Sequence, residues 1–251
     1  MTEDNGILRI GTSNIVVPGI KKDYPADFQE GTRLIYYSSL FNTVELNTTF
    51  YKLPLPKTFT KWASEVPDTF KFTVKLWQGI THTKKLAFVK EDIDRFMKTT
   101  GHLGSKKGCL LVQFPGSITS DYDHPVEQIL ERIYELNGDN AWKVVVELRN
   151  SSWYHEMTYE MLNRYNASLV FHDIRASRTP QSNEATSVIY LRFHGPKGDY
   201  RESYTDVFLQ EQAEVIKKWL VKGKEVYVYF NNTMGSALQN VQLLQKLTTD
   251  Q

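Results

Sequence analysis

Three acidic and three basic side chains in this 251-residue chain stand where short apolar segments end: Glu45, Glu147 and Asp173 against Lys75, Arg149 and Arg192. Three of these segments carry a second polar residue two positions on, giving the pairs Glu45 with Asn47, Glu147 with Arg149, and Arg192 with His194. Residues two apart in a β-strand share a face, so each pair projects as a unit. Two carboxylates on one cleft allow one to act as general acid and the other as nucleophile or base. Arg149 beside Glu147 would keep that carboxylate ionised and suit it to base or nucleophile. An imidazole titrates near neutrality, which adds His194, just before Gly195-Pro196, as a proton-transfer group. The catalytic candidates are therefore Glu45, Glu147 and His194.

The cations Lys75, Arg149 and Arg192, with Asn231-Asn232 ahead of the last helical segment, suit a phosphate or carboxylate. Asn47, His82, Gln113 and Asp173 add polar groups at the same strand ends. Among the aromatic residues of the connecting loops, Trp153 and Tyr200 are candidates to stack on a sugar or nucleobase. The ligand-binding set is thus Asn47, Lys75, His82, Gln113, Arg149, Trp153, Asp173, Arg192, Tyr200 and Asn231.

A structural explanation competes with this one. The same six charges could interlock as a ladder of salt bridges closing one end of the fold, since an unpaired buried ion costs several kcal/mol. His82, His172 and His194 together with the three carboxylates could in principle compose a divalent-metal site. No H-E-x-x-H, D-x-D-x-D-G or paired-Cys motif is present, so no metal or other cofactor is assigned. Ser13 lacks the G-x-S-x-G elbow and Cys109 opens an apolar strand, which leaves neither as a nucleophile.

Eight strand-like segments must position these groups: Leu8 to Gly11, Thr43 to Asn47, Phe70 to Lys75, Cys109 to Gln113, Lys143 to Arg149, Ser168 to Asp173, Val188 to His194 and Glu225 to Asn231. Helical spacing marks Leu34 to Leu40, Lys57 to Glu65, Glu91 to Thr99, Asp123 to Leu136, Thr158 to Tyr165, Leu209 to Val221 and Ala237 to Leu247. The stretch 174–187 is polar and contains Pro180, so the helix after strand six is missing or reduced. An open doubly wound sheet binds at one switch point, whereas a closed (β/α)8 TIM barrel gathers residues from every strand at one mouth. Polar residues at all eight strand ends favour the barrel. Gly11-Thr12-Ser13-Asn14 is also neither a dinucleotide fingerprint nor a Walker A loop.

The length fits one domain, 1–251, with no repeat or charge block to divide it. Hydrophobic residues at 41% and charged residues at 24% are ordinary for a globular protein and argue against disorder. Lys plus Arg number 30 against 29 Asp plus Glu, a formal charge of +1. A near-neutral chain has no global field that would draw it to nucleic acid. Its apolar runs fall short of the roughly 18 residues that span a membrane. The polar start Met1-Thr2-Glu3-Asp4-Asn5-Gly6 lacks the features of a secretory signal, so a cytoplasmic protein without a membrane partner is expected.

Seven blocks in order carry a resemblance to a known family. They are Thr43-Val44-Glu45-Leu46-Asn47 through Phe50-Tyr51-Lys52-Leu53-Pro54, Phe70-Lys71-Phe72-Thr73-Val74-Lys75, Ile80-Thr81-His82, Leu110-Leu111-Val112-Gln113-Phe114-Pro115, Val146-Glu147-Leu148-Arg149 with Ser152-Trp153, Leu191-Arg192-Phe193-His194-Gly195, and Tyr227-Val228-Tyr229-Phe230-Asn231-Asn232. Over nearly its whole length the chain resembles the DUF72 or YecE-like family of bacterial TIM barrels. Members usually carry Gly-Trp after the first strand, where this chain has Asn14-Ile15. The resemblance implies a barrel with a site at its mouth and names no reaction. The functional expectation is an enzyme that binds a small polar anion, such as a sugar phosphate, and performs hydrolytic or acid/base chemistry with Glu45 and Glu147. Strands two and five would hold those carboxylates roughly 6 Å apart, between the spacings of retaining and inverting glycosidases. The alternatives are a non-catalytic ligand-binding or regulatory barrel, and a metal-dependent nucleic-acid phosphodiesterase, which the neutral net charge disfavours.

Overall fold

Each strand of the chain lies parallel to its neighbour, and the connections between them run mostly through helices. The computed structural model describes residues 6–138, 141–180 and 186–249. The strands are β1 (Ile7–Thr12), β2 (Thr43–Leu46), β3 (Lys71–Lys75), β4 (Lys107–Phe114), β5 (Lys143–Leu148), β6 (Ala167–His172), β7 (Val188–Phe193) and β8 (Glu225–Phe230). Their ladders run β1-β8-β7-β6-β5-β4-β3-β2, which makes the expected TIM barrel with one seam, between β1 and β2.

That seam meets at the parallel bridge between Ser13 and Glu45 and the hydrogen bond from Asn14 N to Glu45 O, 2.7 Å. Lower down, side chains replace the ladder. The Asn42 amide accepts from Ile10 N at 3.2 Å and donates to Leu8 O at 2.9 Å. The buried Tyr37 hydroxyl accepts from Thr12 N at 2.8 Å and donates to Thr43 O at 3.0 Å. Gly11 permits the approach, because a Cβ there would lie 2.2 Å from the Thr43 carbonyl oxygen. Tyr37→Phe would strand both backbone groups in the core, at an expected loss of roughly 1–3 kcal/mol. Urea unfolding checks this, and an unchanged midpoint would show that the hydroxyl does not hold the seam.

Inside the barrel the period-2 pattern builds three levels. At the amino-terminal end Glu225 accepts from Arg9 at 3.2 Å and pairs with Lys143 at 2.9 Å. Above it Cys109, Leu111, Val145, Val170, Tyr190 and Tyr229 form a buried cluster, with the Tyr229 hydroxyl between those of Thr43 and Thr73. Glu45, Glu147 and Arg192 occupy the top level. The opposite faces, including Val44, Val74, Val112, Val146 and Leu148, join the core beneath the helices.

The helices are α1 (Arg33–Leu40), α2 (Thr48–Tyr51), α3 (Pro56–Ser64), α4 (Gln78–Thr81), α5 (Lys90–Thr100), α6 (Asp123–Leu136), α7 (Glu156–Arg164), α8 (Asp206–Val221) and α9 (Ala237–Thr249). The four-residue α2 and α4 have no counterpart in the sequence reading, being too short to show a 3.6-residue period. Among the described residues after β6 there is only a 3-10 turn, Arg175–Ser177, in line with the polar composition. Residues 181–185 of that expected loop lie outside the described residues. Trp219 of α8 stacks on Phe171 with ring centroids 6.0 Å apart, covering the face of β6 that its own helix would otherwise protect.

Candidate functional site

At the carboxyl ends of the strands a cleft of about 510 Å³ opens over the barrel axis. Its charged lining consists of Lys75 from β3, Arg149 just past β5 and Arg192 from β7. Asn47, His82, Gln113, Tyr200 and Asn231 complete the part the sequence identified. Asn14, Phe50, Gln78, Thr233 and Met234 also line it and were not singled out. Gln78 opens α4 and Phe50 lies in α2, the two short helices that periodicity could not show. Asn14 carried one usable signal. Its φ is 64°, the left-handed region that Gly and Asn adopt most readily, so its residue type fits the turn that follows β1.

Below the cleft lies an interlocked set of ions. The Arg192 guanidinium donates from Nε and Nη2 to Glu45 at 2.9–3.2 Å, and from Nη1 to Glu147 at 2.9 Å. Arg149 Nε donates to Glu147 at 2.6 Å. Glu45 also accepts from the hydroxyls of Ser13 at 2.6 Å and Tyr190 at 2.5 Å. Burial alone would raise the Glu45 carboxyl, but the charge and hydrogen bonds of Arg192 outweigh it and hold it below its ordinary range. Burial acts the same way on Glu147, and the charges of Arg192 and Arg149 hold it well below that range.

This arrangement changes the catalytic expectation. The space foreseen between two opposed carboxylates is filled by a guanidinium bonded to both. Neither Glu45 nor Glu147 exposes any surface, and neither lines the cleft. For Glu45 the reason is depth, since the register pairs it with Thr73 and Lys75 stands one inward step higher; Glu147 is level with the cleft residue Gln113 but is held by the guanidinium groups of Arg149 and Arg192. A fully buried, ionised carboxylate on an arginine is a poor proton donor.

His194 is likewise beneath the floor. Its Nδ1 faces Asp173 at 3.2 Å, while Nε2 faces Arg192 Nη1 at 2.9 Å and Arg149 Nη2 at 3.2 Å. The carboxylate can only accept and the guanidinium groups only donate, which assigns the proton to Nδ1 and leaves Nε2 as acceptor. Burial, with Arg192 adding to it, lowers this imidazole to about 4 despite the bond to Asp173. It is neutral and orients two arginines.

Two ligand-binding expectations fall outside the cleft. Trp153 is 1% exposed and its indole donates to Ile118 O at 2.7 Å, so it anchors the loop after β4. Asp173 lies past the end of β6, where its carboxylate accepts from His194 N at 2.9 Å and from the Tyr204 hydroxyl. The inward position at this level belongs to His172, in step with Ser168 and Val170, contrary to the expected phase. His172 itself is tied to Leu148 O and Tyr154.

Lys75 and His82 are the titratable groups of the cleft whose protonation is most altered. Burial first, and the Arg192 charge second, push Lys75 down to about 7. Its Nζ lies 3.9 Å from the Phe50 ring centroid; that contact favours the ammonium form but does not offset desolvation. His82 is lowered to about 4 by burial and then by Lys75, and bonds Thr81 Oγ1 through Nδ1 at 2.8 Å. Tyr200 adopts φ 67° and its hydroxyl accepts from Arg149 Nη1 at 3.2 Å. Among the described residues no group of three His, Cys, Asp or Glu side chains could hold a metal ion. No helix among them is long and apolar enough to cross a membrane.

A parallel eight-stranded barrel with a polar cleft at the carboxyl ends of its strands defines a TIM-barrel protein whose cleft opens on the face where such barrels act. The family model described as "Protein of unknown function DUF72" matches residues 9–251, and the chain belongs to that family. The UPF0759 protein YunF of Bacillus subtilis (strain 168) is 30% identical over 244 residues, covering 84% of each chain. A DUF72 family crystal structure from Enterococcus faecalis V583 superposes at a TM-score of 0.78 with 24% identity, covering 99% of this chain and 100% of that one. Beyond the family, an AP endonuclease, family 2, from Brucella melitensis superposes at 0.58 with 10% identity over 96% of this chain and 98% of its own, a likeness of fold.

Proposed function

We propose that this DUF72 protein is an enzyme that binds a small polar anion at the barrel mouth and performs acid/base chemistry on it. One observation carries the reading: Lys75, Arg149 and Arg192 converge on the cleft, and among the described residues its lining contains no Asp or Glu. The acids that balance these charges sit underneath, so the face offered to a ligand is cationic while the site as a whole is close to neutral. A cleft of about 510 Å³ is within the range of small-molecule sites and suits a sugar phosphate. Glu45 and Glu147 serve as fixed counter-charges that aim Arg192 and Arg149. Proton transfer falls to Lys75, whose value near 7 matches a group working at neutral pH.

Ligand-observed NMR in D2O with a panel of sugar phosphates and hydroxy acids tests both parts. Arg149→Gln should weaken binding roughly 10- to 100-fold, the worth of a charge-assisted hydrogen bond. Lys75→Met should abolish exchange of a ligand C–H for deuterium while the ligand still binds. Binding without exchange in the wild type would make this a recognition module, and no binding of any anion would remove the reading altogether.

A further inference from the structure

Two lysines of this fold are buried, and they differ in one respect. Lys106 is 5% exposed, and its Nζ donates to Pro67 O at 2.6 Å and Asp68 Oδ1 at 2.7 Å. Lys75 is 8% exposed, and among the described residues its Nζ has neither a hydrogen bond nor an ion pair. The two carboxylates near enough to act on its charge, Glu147 and Glu45, are taken up by Arg149 and Arg192. An ammonium largely stripped of water and left without a counter-ion at the cleft surface is costly, and a structural lysine would have been given the partner that Lys106 has.

We propose that Lys75 forms an imine with the carbonyl carbon of a small anionic hydroxy-aldehyde or hydroxy-ketone bound in the mouth, an inference that rests on the anion-binding reading above. The Phe50 ring, 3.9 Å from Nζ, backs the amine. The cleft is the open space before it. Arg149, about one-fifth exposed at its side chain, supplies the guanidinium that receives the carboxylate or phosphate. Asn47 lines the same cleft, and its Oδ1 is buried without a hydrogen-bond partner among the described residues. A buried acceptor of this kind calls for a donor, and a ligand hydroxyl provides one. Carbonyl, anion and hydroxyl are thus each matched by a named group.

Lowering of Lys75 to about 7 leaves roughly half of it as the free amine at neutral pH, the form that attacks. The ammonium releases one proton, and the nitrogen lone pair bonds to the carbonyl carbon as the C=O π pair moves to oxygen. That oxygen takes up the proton, giving a carbinolamine. The C–O bond then breaks, oxygen departs as water with a second nitrogen proton, and C=N forms. Ammonium plus carbonyl becomes iminium plus water, so one positive charge stands beside Arg149 and Arg192 before and after. The iminium is an electron sink that acidifies the adjacent C–H, so in this deeper reading Lys75 promotes the proton transfer as the imine nitrogen and not as the base that removes the proton.

Trapping with sodium borohydride tests this on the full chain, using dihydroxyacetone phosphate, pyruvate and acetone as probes, read by intact mass and peptide mapping. Dihydroxyacetone phosphate should leave a reduced adduct on Lys75 in preference to every other lysine. Pyruvate, which lacks the hydroxyl, should label it less, and acetone not at all. Inorganic phosphate should protect, Lys75→Arg should lose the adduct, and Arg149→Gln should sharply reduce it. If no probe labels Lys75, or if label spreads evenly over the lysines, while inorganic phosphate still binds by titration calorimetry, the imine is overturned and the anion site survives. Absence of both the adduct and phosphate binding would overturn the two readings together. Equal labelling by acetone would overturn the substrate class.

Discussion

Arg192→Met should be the most damaging single substitution at the mouth, with a loss of about 3–5 kcal/mol in folding stability. The side chain is 1% exposed and holds both Glu45 and Glu147. Methionine keeps an unbranched apolar stem and removes the guanidinium with its charge. Glu147 would retain Arg149 at 2.6 Å, but Glu45 would be left with only the hydroxyls of Ser13 and Tyr190. The pH dependence sharpens the test. In the wild type both carboxyls sit below their ordinary values, so their contribution is complete above the unfolded carboxylate range and is lost as pH falls through the folded values. In the variant, burial without the guanidinium would raise Glu45 above its unfolded value. That contribution has the opposite sign, and acidification from pH 7 to 5 should then relieve the variant rather than strain it. Urea unfolding at several pH values measures the slope directly. A loss under about 1 kcal/mol with the wild-type slope would mean that the ion set is only loosely coupled.

Most of the barrel was legible because its signal is redundant. Eight Val-, Ile- and Tyr-rich segments alternate with amphipathic ones, and an error of one residue at a strand end leaves the topology intact. Alternation in the sequence extends β5 to Arg149, β6 to Asp173, β7 to His194 and β8 to Asn231, one residue past the ladder in each case. At β6 that residue mattered, since it exchanged the roles of His172 and Asp173. Spacing of two shows which face a residue takes and says nothing of its height along the axis. Height comes from the register between strands, which no single segment encodes. Glu45 level with Thr73 stands one inward step below Lys75, whereas Glu147 is level with Gln113, a residue of the cleft, and is withdrawn by its bonds to Arg149 and Arg192 instead. Trp153 illustrates a second limit: an aromatic beside a strand end looks the same in sequence whether it faces a ligand or, as here, a neighbouring loop carbonyl.

Lys75→Met should stabilise the protein at neutral pH, by about 2–4 kcal/mol. Lys75 stands near 7 in the folded chain against an ordinary 10.5. Between those values the unfolded chain binds a proton that the folded chain has released, so wild-type stability rises with pH through this window, by at most about 1.4 kcal/mol per unit. Below 7 the lysine is charged in both states and the burial cost is fully expressed. Methionine carries no such cost, fills a similar volume, and its sulfur can rest on the Phe50 ring. The gain should therefore be largest at or below pH 7, shrink steadily above it, and be gone by about pH 10. Unfolding curves at pH 6, 8 and 10 for both proteins decide the matter. A variant less stable than wild type at pH 7 would show that Lys75 is supported in a way the fold does not reveal. A group whose removal strengthens the fold is one that stability alone does not retain. The same substitution should abolish deuterium exchange into the ligand, and a gain in stability coupled to that loss is the signature expected of a residue kept for its chemistry.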